Sequence, residues 1–253
     1  MERKNESRRL CVLVLSVVIS LGGLSLPVWA EREITGRDGA PMARVPAGEF
    51  LYGRNNQRLS LSAFDMDKYE VTTKLYAKFL QATGRVQPTD WPQQMALVGS
   101  HGDRPVVNVT WHDADAYCSY YGKRLPTEQE WEKAARGTDG RKYPWGNEAP
   151  TSRHALFNAR WNGYETLAVV GSHEAGASPY GIQDLAGNVY EWTSSGSELG
   201  RGSSDYVPGS KFIRGGSWYE FLAAGLASTF GSIHPQEGKE TDRGFRCVQD
   251  APP

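Results

Sequence analysis

Gly181-Ile182-Gln183-Asp184-Leu185-Ala186-Gly187-Asn188-Val189-Tyr190-Glu191-Trp192-Thr193 is the most telling stretch of this chain. Glycine and asparagine at its centre mark a tight turn, and the aromatic residues after them mark a segment that packs inward. Asp184 and Glu191 sit on this one loop, with the carbonyls of Gly187 and Val189 between them. Carboxylates and backbone carbonyls are hard oxygen ligands of the kind Ca²⁺ takes. The plainer reading is that both acids cap turns and pair with arginines.

Upstream of the loop lie three helix signals. Thr72 or Thr73 can cap a helix with Leu75, Phe79 and Leu80 on its apolar face. Thr110 followed by Asp113 can cap a second, turning Ala114, Tyr117, Cys118 and Tyr121 inward and ending at Gly122. Thr127 and Glu130 form a capping box for a third, which runs through Trp131, Ala134 and Ala135 to Gly137. Residues 42–53 alternate apolar and polar positions around Pro46-Ala47-Gly48, as the start of a hairpin does, and 64–69 is another strand candidate. Beyond Gly137 the helical period fades. Two strand-like runs close the chain, near 211–218 and 244–248, and the Gly/Ser stretch 194–204 reads as a surface loop.

Glycine (28), tryptophan (8) and tyrosine (12) are abundant, which points to irregular backbone pinned by aromatic side chains and turns. Trp131, Trp145 and Trp192 are expected to fill the core with their indole N–H groups bonded to loop carbonyls. Arg124, Arg136, Arg214 and Arg246 are expected to fork to carboxylates or carbonyls in a fold poor in regular ladders.

The first thirty residues read as a targeting segment. Arg3, Lys4, Arg8 and Arg9 form a basic region, residues 11–26 are apolar, Pro27 stops any helix, and Val28-Trp29-Ala30 suits a signal peptidase. Cleavage is expected after Ala30, leaving no stable membrane span; an uncleaved anchor is the alternative, the apolar run approaching the roughly 20 residues that span a bilayer. Ser7-Arg8-Arg9 also hints at a twin-arginine signal. The remainder is expected to divide into a flexible lead-in, 31–41, and one domain, 42–250. Its net charge is near −3, since the segment removes four basic and two acidic residues from a chain of −1. Nothing in that balance points to nucleic acid or an acidic membrane. Cys118 and Cys247 then form an even pair in an oxidising compartment, and a structural disulfide is the leading reading.

The order of the motifs carries more than any one of them. Val45-Pro46-Ala47-Gly48-Glu49-Phe50 precedes Tyr69-Glu70-Val71-Thr72, and Pro105-Val106-Val107-Asn108-Val109-Thr110-Trp111 leads to Ala114-Asp115-Ala116-Tyr117-Cys118. Gly122-Lys123-Arg124-Leu125-Pro126-Thr127-Glu128, Tyr143-Pro144-Trp145-Gly146-Asn147, the opening stretch, Arg214-Gly215-Gly216-Ser217-Trp218 and Gly244-Phe245-Arg246-Cys247 follow. From about 42 to 248 this series resembles the formylglycine-generating enzyme (sulfatase-modifying factor) family. The resemblance implies an α+β fold like that of a C-type lectin, with short helices around small irregular sheets. It implies a bridge between Cys118 and Cys247, joining the second helix to the last strand. It places one structural calcium at Asp184, Gly187, Val189 and Glu191. It places a second at Asn158, the Ala159 carbonyl, Asn162 and the Tyr164 carbonyl, where Asn162 replaces an acidic ligand of the family.

The enzymes that name the family oxidise a cysteine with O₂ and Cu(I) held by two thiolates, ligands suited to that soft ion. Here Glu220 falls at the first thiolate position and Gly225 at the second. No copper is expected, and formylglycine synthesis with it is not expected either. Activity of a three-histidine iron branch is not expected either, because His101, His112, His154, His173 and His234 show no closely spaced helical pattern. The chain is most similar to an exported branch without the cysteine pair, which includes a periplasmic oxidation protein of pyoverdine maturation and proteins encoded beside copper nitrite reductases. Two functions follow as expectations. One is a periplasmic accessory or maturation factor acting on an exported enzyme or a small metabolite, with Glu220 as a candidate general base. The other is a non-catalytic lectin-like module that binds a protein or sugar through the 194–204 loop and residues 218–221.

Overall fold

Pairing of short strands, and not helix packing, sets the architecture. The computed structural model describes residues 34–98, 103–196 and 208–252. The targeting segment 1–30 and most of the 194–204 loop lie outside the described residues. Strands β1 (Ile34–Thr35), β2 (Pro41–Val45), β5 (Phe64–Asp67) and β10 (Val248–Asp250) form one sheet in the order β1-β2-β5-β10. Strands β3 (Gly48–Tyr52) and β4 (Gln57–Leu61) form a hairpin of their own. Strands β6 (Tyr190–Gly196), β7 (Ser210–Arg214), β8 (Gly231–Pro235) and β9 (Arg243–Gly244) make the third sheet, ordered β8-β7-β6-β9. The helices are α1 (Thr73–Thr83), α2 (Trp91–Met95), α3 (Trp111–Tyr120) and α4 (Glu128–Arg136). None of them is long and apolar enough to cross a membrane. This is the expected α+β pattern of short helices around small sheets.

The caps expected from sequence are in place. The Thr72 hydroxyl accepts from Leu75 N, and Thr110–Asp113 and Thr127–Glu130 both close full capping boxes. Such reciprocal bonds satisfy two orphan donors at each helix start. The hairpin expected across Pro46-Ala47-Gly48 is not there. β2 pairs with β5 while β3 pairs with β4, so the chain changes sheet at Pro46, which has no N–H to give to a ladder. The final run also divides. β9 pairs with β6 and β10 with β5, so residues 245–247 cross from one sheet to the other.

That crossing runs through the largest buried cluster among the described residues. Tyr76, Phe79, Trp91, Tyr117, Leu125, Trp192 and Phe245 pack around Cys118 and Cys247. The two cysteines are bonded to each other, with their Cα atoms 5.7 Å apart. A second cluster of Val45, Phe64, Met66, Trp131, Ile182 and Leu185 fills the space between the first sheet and α4.

The lead-in expected to be flexible is instead tied down. From residue 34 it supplies β1 and a turn that buries Asp38. Lys123 Nζ, fully buried, lies 2.8 Å from Asp38 and 2.7 Å from Asp67. Tyr117 donates its phenol to Asp38 at 2.9 Å. Gly36 must lack a side chain here, because a Cβ would sit 2.6 Å from the Lys123 ammonium. One lysine thus serves two carboxylates. Burial pushes the Asp67 carboxyl up to about 6, against the pull of Lys123 and with the push of Asp38. Unfolded aspartate titrates near about 3.9. Between about pH 4 and 6 the folded protein therefore holds a proton that the unfolded chain has lost, and this group's share of stability falls as pH rises through that window. Urea unfolding of the wild type and Asp67→Asn across this range should show that part of the slope vanish in the variant. An unchanged slope would mean that Asp67 titrates alike folded and unfolded.

Candidate functional site

The Asp184–Glu191 loop is built from backbone that few residues tolerate. Asp184, Gly187 and Asn188 all have positive φ, at 59°, 78° and 57°. A side chain at Gly187 would collide with the Leu156 carbonyl. Asn188, almost wholly buried, uses its amide on both sides: Oδ1 accepts from Ala168 N at 2.9 Å and Nδ2 donates to Glu70 Oε1 at 2.9 Å. Its carbonyl accepts from Trp218 N at 2.9 Å, which ties the loop to the turn after β7.

The structure divides the acids of this loop between two tasks. Glu191 is gripped by Arg246, whose Nη2 and Nε reach its two oxygens at 2.7 and 2.8 Å, and Trp131 Nε1 donates to it at 2.8 Å. That grip is the arginine pairing raised in the plain reading of the sequence. The Trp131 indole therefore serves a carboxylate, and only Trp192, bonded to the Val109 carbonyl, follows the expected pattern in the deep core. Trp145 is half-buried, with its indole on the Glu148 carbonyl. Asp184 accepts from Gly171 N at 2.6 Å. Burial pushes its carboxyl up, opposed by that N–H and by Arg246.

Glu70 joins this group, and sequence reasoning passed over it. It lies between β5 and α1, is 2 % exposed, and its Oε2 receives no N–H or hydroxyl donor and faces the Asp184 carboxyl. Burial pushes its carboxyl well up, and the nearby Asp184 adds to that against Arg246. The available signal was an acid set between Tyr69 and Val71, two residues before the Thr72 cap. Among the described residues no three His, Cys, Asp or Glu side chains converge on one point. A hard cation here would draw on Glu70 and Asp184 together with the carbonyls of Gly187 and Val189. A buried carboxylate oxygen without an N–H or hydroxyl donor fits such an ion, since it costs free energy where it stands.

Asn158, Ala159, Asn162 and Tyr164 lie on a neighbouring loop, where both asparagines are exposed. Asn158 N donates to the Glu220 carbonyl at 2.7 Å and Ala159 N to the Trp218 carbonyl at 2.8 Å, so this loop rests on the turn that follows β7. The Tyr164 hydroxyl accepts from Asn108 Nδ2 at 3.0 Å. None of these four residues bears a charge.

The positions aligned with the family's thiolates meet in space. Gly225 lies within a short 3-10 turn, Ala223–Leu226, and a Cβ on it would collide with the carboxylate of Glu220. Tyr190, the first residue of β6, donates its phenol to Glu220 Oε1. Burial and then that carboxylate push the phenol above its ordinary range. Around this pair the surface is aromatic. Tyr219, Phe221 and Leu222 are more than half exposed, and Trp161 packs on Trp218 with ring centres 5.3 Å apart. A cleft of about 570 Å³ opens beside them, with Asp90, Trp161, Tyr164 and Glu165 on its walls. What remains is a carboxylate beside an apolar rim, with no thiol at position 220 or 225.

Comparison with known proteins agrees with this geometry. The sulfatase-modifying factor enzyme 1-like domain matches residues 30–251. The chain is 38% identical over 273 aligned positions to an inactive C-alpha-formylglycine-generating enzyme 2 of Bos taurus, spanning 83% of this chain and 88% of that protein. It is 31% identical over 213 positions to a formylglycine-generating enzyme of Thermomonospora curvata, spanning 60% and 70%. Among solved structures, PvdO from Pseudomonas aeruginosa superposes with a TM-score of 0.66 at 24% identity, covering 85% of this chain and 95% of that one, a likeness of fold. The motif series, the irregular fold and the matched span lead to one statement: this chain belongs to the sulfatase-modifying factor enzyme 1-like family.

Proposed function

We propose that the protein is an exported accessory or maturation factor that engages a periplasmic enzyme, such as a copper nitrite reductase, or a small metabolite, without copper-dependent formylglycine synthesis. The observation that carries this reading is the Glu220–Gly225 pair. A carboxylate bonded to Tyr190 fills the space of the second side chain, and a hard oxygen ligand does not replace thiolates for Cu(I). That a relative is named as an inactive formylglycine-generating enzyme supports a family member that keeps the fold without the chemistry. Elemental analysis of the purified, non-denatured protein should find no stoichiometric copper, and a cysteine peptide supplied with Cu(I) and O₂ should stay unoxidised. One equivalent of copper with turnover would overturn the reading.

The exposed aromatics favour a second reading, a lectin-like module whose contact surface is Trp161 with Tyr219, Phe221 and Leu222. Glu220→Gln separates the two. Loss of product from a bound partner assigns Glu220 a proton-accepting role, whereas unchanged function with loss on Phe221→Ala assigns the site to binding alone.

Calcium belongs to the same proposal. Glu70, Asp184 and the carbonyls of Gly187 and Val189 would hold a structural ion, with Glu191 and Arg246 fixing the loop around it, and the Asn158–Tyr164 loop would hold a second more weakly. The ion would supply positive charge to a buried acidic pair and perform no chemistry. Calcium at a hundred times its dissociation constant should add about 2.7 kcal/mol to folding stability. Thermal unfolding with and without chelator should show this gain, and Glu70→Gln should shrink it. No calcium effect in the wild type would remove the ion.

A further inference from the structure

We propose that Asn162 is a site of spontaneous deamidation, in which its side-chain amide is exchanged for a carboxylate through attack by the Gly163 backbone nitrogen. Asn162-Gly163 is the only Asn-Gly pair in the chain. Both residues are exposed. The turn around them is held at other atoms: Asn162 N donates to Thr166 Oγ1 at 2.7 Å, and the Gly163 carbonyl accepts from Thr166 N at 3.0 Å. The two groups that must react, the Gly163 N–H and the Asn162 side-chain amide, are in none of the hydrogen bonds among the described residues. Gly163 sits at φ 68°, with open space where a Cβ would be, so nothing crowds the approach. No other asparagine of the chain precedes a glycine. Asn188 is buried with both amide atoms engaged, Asn108 is bonded to Asp90 and Tyr164, and neither precedes a glycine.

The step balances without an added reactant beyond water. Solvent takes the Gly163 N–H proton, the nitrogen bonds to Asn162 Cγ, the Cγ–Nδ2 bond breaks as solvent returns a proton to Nδ2, and ammonia leaves. Water then opens the resulting succinimide at either carbonyl, giving aspartate or isoaspartate. No atom changes oxidation state.

The product changes the site next to it. Asn162, Asp90 and Glu165 line the same cleft as Trp161, and among the described residues no basic side chain lines it. A third carboxylate would make that wall more anionic. It would also give the loop an acid at the position where the family resemblance expects one.

Peptide mapping by mass spectrometry of the folded protein, held at physiological temperature and sampled over time, tests this. The expected result is conversion of Asn162 to paired aspartate and isoaspartate products, faster at higher pH, with an anion-exchange shift matched by Asn162→Asp. Asn162→Gln should abolish that shift, because its ring closure is one atom longer, and a melting curve unchanged in the presence of chelator would show that the loop is intact. Asn162 staying intact while the urea-unfolded chain converts would overturn the proposal, as would conversion at a different asparagine.

Discussion

Replacing Arg246 by methionine is expected to cost about 3–5 kcal/mol of folding stability, the range for removing one partner of a buried ion pair. Its guanidinium is fully buried and bidentate to Glu191, and it also donates to the carbonyls of Asp67 at 3.1 Å and Gln183 at 2.9 Å. Without it, Glu191 would face Glu70 and Asp184 in the protein interior with no compensating charge from this side chain. Arg246→Lys should fall between the two proteins, because an ammonium keeps the charge but cannot form the fork. Urea unfolding of the three proteins in the same buffer measures the difference. A loss under about 1 kcal/mol would place Arg246 among weak surface pairs and contradict its role as the tie between β6 and the 245–247 crossing.

The second large effect concerns Cys118 and Cys247, which lie 129 residues apart in sequence. Closing a loop of that length stabilises the folded state by about 5 kcal/mol in the chain-entropy model, and loss of a native bridge typically costs about 2–5 kcal/mol. The Cys118→Ala/Cys247→Ala protein should lose an amount in that range by urea unfolding. Both cysteines are fully buried, so a reductant should act on the denatured protein and hardly on the folded one. Thiol titration of a denatured, unreduced protein comprising residues 31–253 should find no free thiol. Two free thiols, or a double variant as stable as the parent, would contradict the bridge.

Much of the architecture was legible because its signals are local. The three capped helices announce themselves through Thr72, Thr110–Asp113 and Thr127–Glu130, since a capping side chain bonds within its own turn. Helix α2 was missed for the opposite reason. It is one short turn, Asp90 makes no side-chain cap, and Trp91-Pro92 reads as a break. Nor does the local pattern of α4 mark Glu128 and Glu132 as buried. They are buried because Arg214 arrives from β7, donating to them at 2.9 and 2.6 Å, in a pairing more than eighty residues away along the chain. The Lys123 contacts with Asp38 and Asp67 are of the same kind, and they turned an expected loose lead-in into a clamped strand.

At the candidate site the sequence by itself determined the parts: the oxygen-rich loop at Asp184–Glu191, the cysteine pair, and the absence of thiols at positions 220 and 225. Those follow from residue identity and order, which a chain carries before it folds. Only the tertiary structure decided how the parts are shared out. It gave Glu191 to Arg246, left an oxygen of Glu70 without an N–H or hydroxyl donor beside Asp184, and set Glu220 over Gly225 under the phenol of Tyr190. The physical reason is burial. A carboxylate removed from water must find a cation or a donor among whatever distant segments the fold brings to it, and no short window of sequence contains that partner.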